Sequence, residues 1–536
     1  MIGAGERSRI EPGPRRALAL ARIDRTLSAT LAAIVIGTVL GFGGAAWWSP
    51  AAIAIGLAVL MVAFLARSCI SGRWFVLKSP LTGLGCLAVG LAAFQSAPLP
   101  PAIASALSPL ARAIHVSGAT PGLPATGEAT TNERQVTTES SSRSPITLDR
   151  PATLRWLLGA LACLGALLVA SHHADRVERL RIVWGSVVLA FLLQAGIIAV
   201  QVAGGAEGLY GFLEPGHGPR WGPTLVDAAN APGSATFREV ATRSPTPHPW
   251  AFPRPRPVPL LGTMLGGPGS LLALGSLGLP LALALTLQLM APRGSREGLR
   301  ARLAESGQGS LLVLLILATI VAAGEIGLVA GPILAIPFAV VVAGVGLVSL
   351  VGSGLGWKGL AITLAVLGAI GGGVAVGDAM GGLPRRGGLT PWRIDPDAAA
   401  SARSVAGAIA RDFPTVGVGL GAFAAVEPYY KDGDASTNTA MSSLLQWRAE
   451  AGHAGLALLG IGCLWGLVRL PGAFRRVGSA DRALAAGLVG TIVLFGAISA
   501  VHATVELMAV ALAASAVAGT ANRWLAGGTD LFVERE

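Results

Sequence analysis

Few side chains in this chain could do chemistry, and they are unevenly placed. Arg385, Arg386, Arg393, Arg403 and Arg411 crowd one polar stretch. A guanidinium is a permanent cation whose fork grips phosphate or carboxylate at two points. Any one of them could instead be a solvated charge balancing Asp395, Asp397 or Asp412. Glu325 lies in an apolar run, where a carboxylate marks a site unless a nearby turn lets it reach water. His502 and Glu506 are four apart, so on a helix they share a face and can hydrogen-bond, either as a site or as a lock at a turn. His453 falls at a helix start, as an interfacial polar residue or one facing a cavity. His115, His172, His173, His217 and His248 have no metal spacing with a second ligand set. Cys69, Cys86, Cys163 and Cys463 form no CxxC, so neither a metal, a disulfide nor a cofactor is expected.

The elements that must position these groups are apolar. The chain has 536 residues, of which 52% are hydrophobic and 13% charged. Soluble domains carry about twice that charge. Apolar runs of membrane length recur from end to end, which predicts an all-α membrane protein rather than a barrel. Twelve spans are expected, at 27–48, 50–66, 80–97, 152–171, 182–202, 262–290, 310–328, 330–352, 359–377, 453–468, 483–501 and 503–521. The runs 310–352 and 483–521 are too long for one crossing and are split at Gly327–Pro332 and near His502. Residues 1–26 form a basic tail and 27–536 a single polytopic domain.

Short loops at 67–78, 172–181, 291–309, 353–358 and 469–482 hold Arg or Lys, while the short turns at 48–50, 328–330 and 501–503 hold none. The positive-inside rule then puts both termini in the cytoplasm. The net charge of +11 is read as topology and contact with anionic lipid, not as nucleic-acid binding. Three long outer loops remain, at 98–151, 203–261 and 378–452. The first opens on the proline-pinned amphipathic piece APLPPAIASALSPLARAIH, then turns Ser/Thr/Glu-rich around Gly122–Ser144 and is expected to be mobile there. The second, with PTPHPWAFPRPRPVP, reads as a polyproline-like cover. The third lies between spans nine and ten. It ends in DFPTVGVGLGAF, a proline followed by close glycines, which must bend sharply and lie against something. No fixed-period or inverted repeat is visible.

DFPTVGVGLGAF at Asp412–Phe423, followed by a Glu-Ala-Gly helix start at Glu450, resembles the bacterial O-antigen ligase and polymerase family. Pro98–Pro100 with Ser108–Pro109, ITLDRPATLRWLL at Ile146–Leu158, LYGF at Leu209–Phe212, the Gly262–Leu285 stretch and HATVE at His502–Glu506 agree in order. The resemblance implies a transferase of the cytoplasmic (inner) membrane that moves an undecaprenyl-pyrophosphate-linked glycan onto a lipid or glycan acceptor at the outer face. It gives the outer-loop arginines the pyrophosphate, with Arg403 foremost and Arg385, Arg386, Arg393, Arg411 and His453 as further binding residues. His502 and Glu506, which keep a family pattern, and Glu325, as an intramembrane acid, complete the catalytic candidates.

The chain also departs from that pattern. Met441-Ser442, nine residues, then Gly452 and Gly455 match a frame that in the family begins with histidine. A thioether takes no proton at neutral pH, so Met441 cannot be the base. His453 lies twelve residues on, about 18 Å along a helix, too far to replace it. Gly266–Ser270 carries no imidazole or amide, and Gly324-Glu325-Ile326-Gly327 stands where Ser-Arg-Gly is frequent. Three readings stay open: an active transferase, a silent member that binds lipid-linked glycan or scaffolds assembly, and a transporter.

Overall fold

A computed structural model describes residues 14–41, 49–71, 79–117, 143–204, 268–290, 308–353, 356–381, 396–430, 439–478, 481–502, 504–505 and 508–526. The expectations for the mobile segment at 122–142, the proline-rich cover and the LYGF stretch lie outside them, as do Arg385, Arg386, Arg393 and Glu506. Among the described residues fifteen α-helices run in order: α1 Pro14–Leu40, α2 Ser49–Ser71, α3 Pro80–Ser96, α4 Pro101–Leu107, α5 Pro109–Ser117, α6 Arg150–His173, α7 Val177–Gly204 and α8 Pro268–Met290. There follow α9 Gln308–Ser353, α10 Gly356–Gly381, α11 Pro396–Asp412, α12 Phe423–Val426, α13 Ser443–Arg475, α14 Arg482–Val501 and α15 Met508–Leu525. Among the described residues there is no strand, only an isolated bridge between Leu99 and Ser144.

Nine of these helices (α1, α2, α6 to α10, α13 and α14) are long and apolar enough to cross a membrane, and α3 is apolar but shorter, at 17 residues. The chain is an all-α membrane protein. Its central member is α8, buried from Gly269 to Gln288 and wrapped by α7, α9, α14 and α15. Trp184, Phe191 and Phe338 anchor the bundle core around it.

Helix α9 is broken at Gly331 (φ 63°, ψ 178°), just before Pro332, which has no N–H to continue the ladder. A β-carbon at Gly327 would overlap the Ile370 carbonyl of α10, and one at Gly346 would overlap Thr363 of the same helix. Those contacts are nineteen residues apart on α9 and seven apart on α10. Along straight helices the separations would be about 28 Å and about 10 Å, so the chain must double back between them. The glycine–proline turn expected at 327–332 is this break.

Helix α1 starts inside the expected basic tail, well before residue 27. Arg16 Nε in its first turn donates to Ile70 O at 2.6 Å, and a ring of charges fixes the helix further on, at Asp24. Arg67 of α2 reaches Asp24 (2.6 Å) and Asp175 (3.3 Å), and Arg179 of α7 reaches Asp175 (2.6 Å) and Asp24. Beneath it, Nε2 of buried His173 bonds Ser28 Oγ at 2.7 Å.

The opposite end of the bundle carries a cap with its own core. Ala111 of α5, Val405 and Ile409 on α11, Phe413 and Val418 in the following loop, Phe423 of α12 and Ala449 of α13 pack together. Helix α11 presents this face at helical spacing and keeps Ser401, Ser404, Arg411 and Asp412 exposed.

Candidate functional site at the cap end of the bundle

Residues 414–421 and 449–454 are held together by backbone pressed on backbone. Gly417 (φ 71°) leaves no room for a β-carbon against the Glu450 carbonyl, and a β-carbon on Gly452 (φ 62°) would stand 2.5 Å from the Thr415 oxygen. Only glycine combines that conformation with that approach. Val418 N–H donates to Ala449 O (3.0 Å), Gly419 N–H to Glu450 O (3.1 Å), and His453 N–H to Pro414 O (2.7 Å). Gly452 breaks α13 at this point, which frees the carbonyls that the loop then uses. The interposed Val416, Val418 and Leu420 each enter a different small core. The close glycines lie against the broken start of α13 at Gly417, against Thr147 at Gly419, and against Ala152 and Trp156 of α6 at Gly421.

Two buried polar side chains complete the lock. Gln95, in the last turn of α3, donates from Nε2 to the carbonyls of Val416 (2.6 Å) and Glu450 (2.9 Å). Its Oε1 accepts from Leu420 N–H at 3.0 Å. The Glu450 carboxylate accepts from Gly421 N–H (2.9 Å), Phe423 N–H (3.2 Å) and Gln446 Nε2 (3.1 Å). A carboxylate with three donors is a tie that orders the loop. Sequence reading singled out neither residue for a role. A lone amide ending an apolar run is the signal for Gln95, and burial on a helix beside glycines is the signal for Glu450.

The other half of the site gathers around His502. Ser442 caps α13, its Oγ accepting from Leu445 N–H (3.3 Å) and donating to Ala500 O (2.7 Å). Ser443 N–H donates to His502 O at 3.3 Å, and Ser443 Oγ accepts from Thr504 N–H at 2.8 Å. The His502 ring lies over Gly269 at the start of α8, where a β-carbon would fall on its Nε2. Its Nδ1 is buried with no partner among the described residues. Burial lowers its pKa from 6.5 to about 4, so the imidazole is neutral at physiological pH and is a weaker base than a solvated histidine. No helix runs on from His502 through residues 504 and 505, and Glu506 lies outside the described residues. His502 is extended (φ −144°, ψ 155°) and ends α14, so a helical i,i+4 face is absent.

Met441 precedes the cap with φ 49°, the only non-glycine with positive φ among the described residues, and is half-buried. It stands two residues from Ser443, and so beside the His502 turn. His453 follows the break at Gly452 and its side chain is exposed, in keeping with an interfacial polar residue. The helix from Met441 to His453 is not continuous, so the expected rise between them does not apply. Arg403 is half-buried on α11 and Arg411 exposed at its end. Neither has a hydrogen-bond partner among the described residues. Arg448, not singled out by sequence, is half-buried with its Nε unpartnered among them. Beside it, Trp447 closes on Gly455 and lies 5.8 Å from Trp156. Glu325 does not reach water: it is 8% exposed and both oxygens are buried without a partner among the described residues.

The site thus brings together Met441–Ser443, the His502–Thr504 turn and the start of α8. It does not bring Arg403 or Glu325 into measured contact with them. No group of three or more metal-ligating residues occurs among the described residues. Comparison with known proteins found no family model, curated protein or solved structure that matches this chain.

Proposed function

We propose that the chain is a twelve-span transferase of the O-antigen ligase and polymerase type. In this reading the cap faces the outer side of the cytoplasmic membrane, both termini are cytoplasmic, and the substrates are an undecaprenyl-pyrophosphate-linked glycan and a lipid or glycan acceptor. One observation supports the reading most. Three segments compared with the family, at Ser442–Ser443, at His502 and at Gly269, are far apart in sequence and meet around His502, although the first and third lack the family's histidine and amide.

In this scheme His502, fastened by Ser443 beside the Met441 segment, takes the proton from the acceptor hydroxyl that Met441 cannot take. The acceptor oxygen forms the new bond to the sugar anomeric carbon as the bond to the pyrophosphate oxygen breaks. Arginines of the cap, Arg403 and Arg448 among them, hold the leaving diphosphate by fixed charge. The second reading, a silent binder of lipid-linked glycan, is favoured by Met441 itself and by the complete satisfaction of the Gln95 and Glu450 lock, which leaves those groups no free chemistry.

The test is reconstitution in proteoliposomes with undecaprenyl-pyrophosphate-linked glycan and a lipid acceptor. Transfer that is lost in His502→Gln supports the transferase. Glycan retained by the purified protein without transfer supports the binder. Neither transfer nor retention, with a normal surface-glycan profile in a strain lacking the gene, would remove both.

A further inference from the structure

The proline-pinned helices α4 and α5 have a face that the fold does not use. Each begins on a proline, and Ser108 between them is buried and non-helical (φ −150°). One side of the pair is packed. Ala104 and Leu107 meet Leu99, Ile146, Val416 and Ala454, while Ala111 and Ile114 enter the cap core. The other side shows Ile103 at 44% and Leu110 at 37% exposure, with Ala102, Ala106 and Ala113 also exposed.

The depth of this face follows from its neighbours. The chain leaves α3 at Ser96 and α4 starts at Pro101. Ala454, against which α4 packs, is two residues past the Gly452 break, where the long apolar part of α13 begins. Helix α4 therefore lies level with the cap-side ends of α3 and of the apolar part of α13. At that level a bilayer changes from hydrocarbon to headgroups, and a helix with one apolar side lies in the plane. The rest of the cap behaves differently, since α11 exposes Ser401, Ser404, Arg411 and Asp412. Residues 97–117 contain no Asp or Glu, so nothing there repels lipid phosphates.

We propose that α4 and α5 form an interfacial pair embedded in the cap-side leaflet, with Ile103 and Leu110 inserted at the headgroup–acyl boundary. The pair then acts as a lipid anchor that fixes the height of the cap over the bundle. The occupant is the bilayer itself, continuous with the lipid around α3 and α13.

Nitroxide labels test this in the full chain, reconstituted into phospholipid nanodiscs after replacing the four native cysteines with serine. Ile103→Cys, Leu110→Cys and, as a milder site, Ala106→Cys are compared with Ser401→Cys on α11. Oxygen concentrates in hydrocarbon, whereas a polar nickel chelate stays in water. The expected result is several-fold more collision with oxygen than with the chelate at 103 and 110, and the reverse at 401. Equal chelate access at 103, 110 and 401 would overturn the proposal by placing the face in water. Low access to both reagents would also overturn it, because protein would then cover the face.

Discussion

Ser443 and His502, fifty-nine residues apart in sequence, are joined backbone to backbone at 3.3 Å. The same serine hydroxyl accepts the buried N–H of Thr504 at 2.8 Å and lies 3.2 Å from the Thr504 hydroxyl. This contact fastens the start of α13 to the turn between α14 and α15, and so sets where the His502 ring lies.

Ser443→Ala removes the hydroxyl and leaves the Thr504 N–H buried without its acceptor. A loss of about 1–3 kcal/mol is expected. Thermal unfolding in detergent would read it, with Ser404→Ala on the exposed face of α11 unchanged within error. Equal stability of the two variants would show that the tie is not needed.

Gly452→Ala places a β-carbon 2.5 Å from the Thr415 oxygen and 2.7 Å from the Gly417 nitrogen, both backbone atoms, at φ 62°. Neither can step aside, so the 412–423 loop must separate from α13. A cost of about 2 kcal/mol or more and protease sensitivity within 412–423 are expected. Gly407→Ala on α11, with nothing within 4 Å of the new carbon, should instead stabilise by up to about 1 kcal/mol.

Gly269→Ala tests where His502 must be. The new carbon falls on the imidazole, which has to leave its place over α8. If His502 is the base, transfer activity should fall with that of His502→Gln while the protein still elutes as a folded species. Full activity in Gly269→Ala would exclude a base held at this position.

The same burial gives a pH dependence. His502 has a folded pKa of about 4 against 6.5 in the open chain, because burial strips water from the imidazolium. Between those values the unfolded chain holds a proton that the folded chain lacks. Its contribution to stability is therefore complete above about pH 6.5 and is lost as pH falls toward about 4. Near pH 5 the loss from this residue should be about 2 kcal/mol. Melting curves of the native protein and His502→Gln would show a steeper acid decline in the former.

The charge ring at the other end predicts a different sensitivity. Arg179→Ala leaves Asp24 and Asp175 to share Arg67, whose contact with Asp175 is the longer one at 3.3 Å. The groups are part-exposed, so a loss of about 1–2 kcal/mol is expected after allowing for solvent screening. Added salt should narrow the gap between variant and native protein, since screening weakens what the ring supplies.

Much of the fold was legible because lipid leaves the backbone few options. Apolar runs of membrane length must be helices, and Gly331-Pro332 marks the reversal of α9 since proline removes a donor where glycine permits the turn. The alternation Val416-Gly417-Val418-Gly419-Leu420-Gly421 likewise announced a backbone pressed against a neighbour. The sequence alone determined the class of the protein, the glycine frame of its polar stretch and the absence of a base at Met441.

What pressed against those glycines was decided only by the tertiary structure. Gln95 and Glu450 are more than 350 residues apart, and no local pattern tells an amide that ends one helix which carbonyls it will meet. The same holds for His502. Four-residue spacing suggested a helical pair with Glu506, but the helix ends one residue earlier, and the tie to Ser443 turns the chain out. Spacing fixes which residues could share a face only if the chain stays helical between them. Whether it does is set by packing from elsewhere in the chain, which is why the ring of His502 lies over Gly269, a position that sequence reading had marked only for what it lacks.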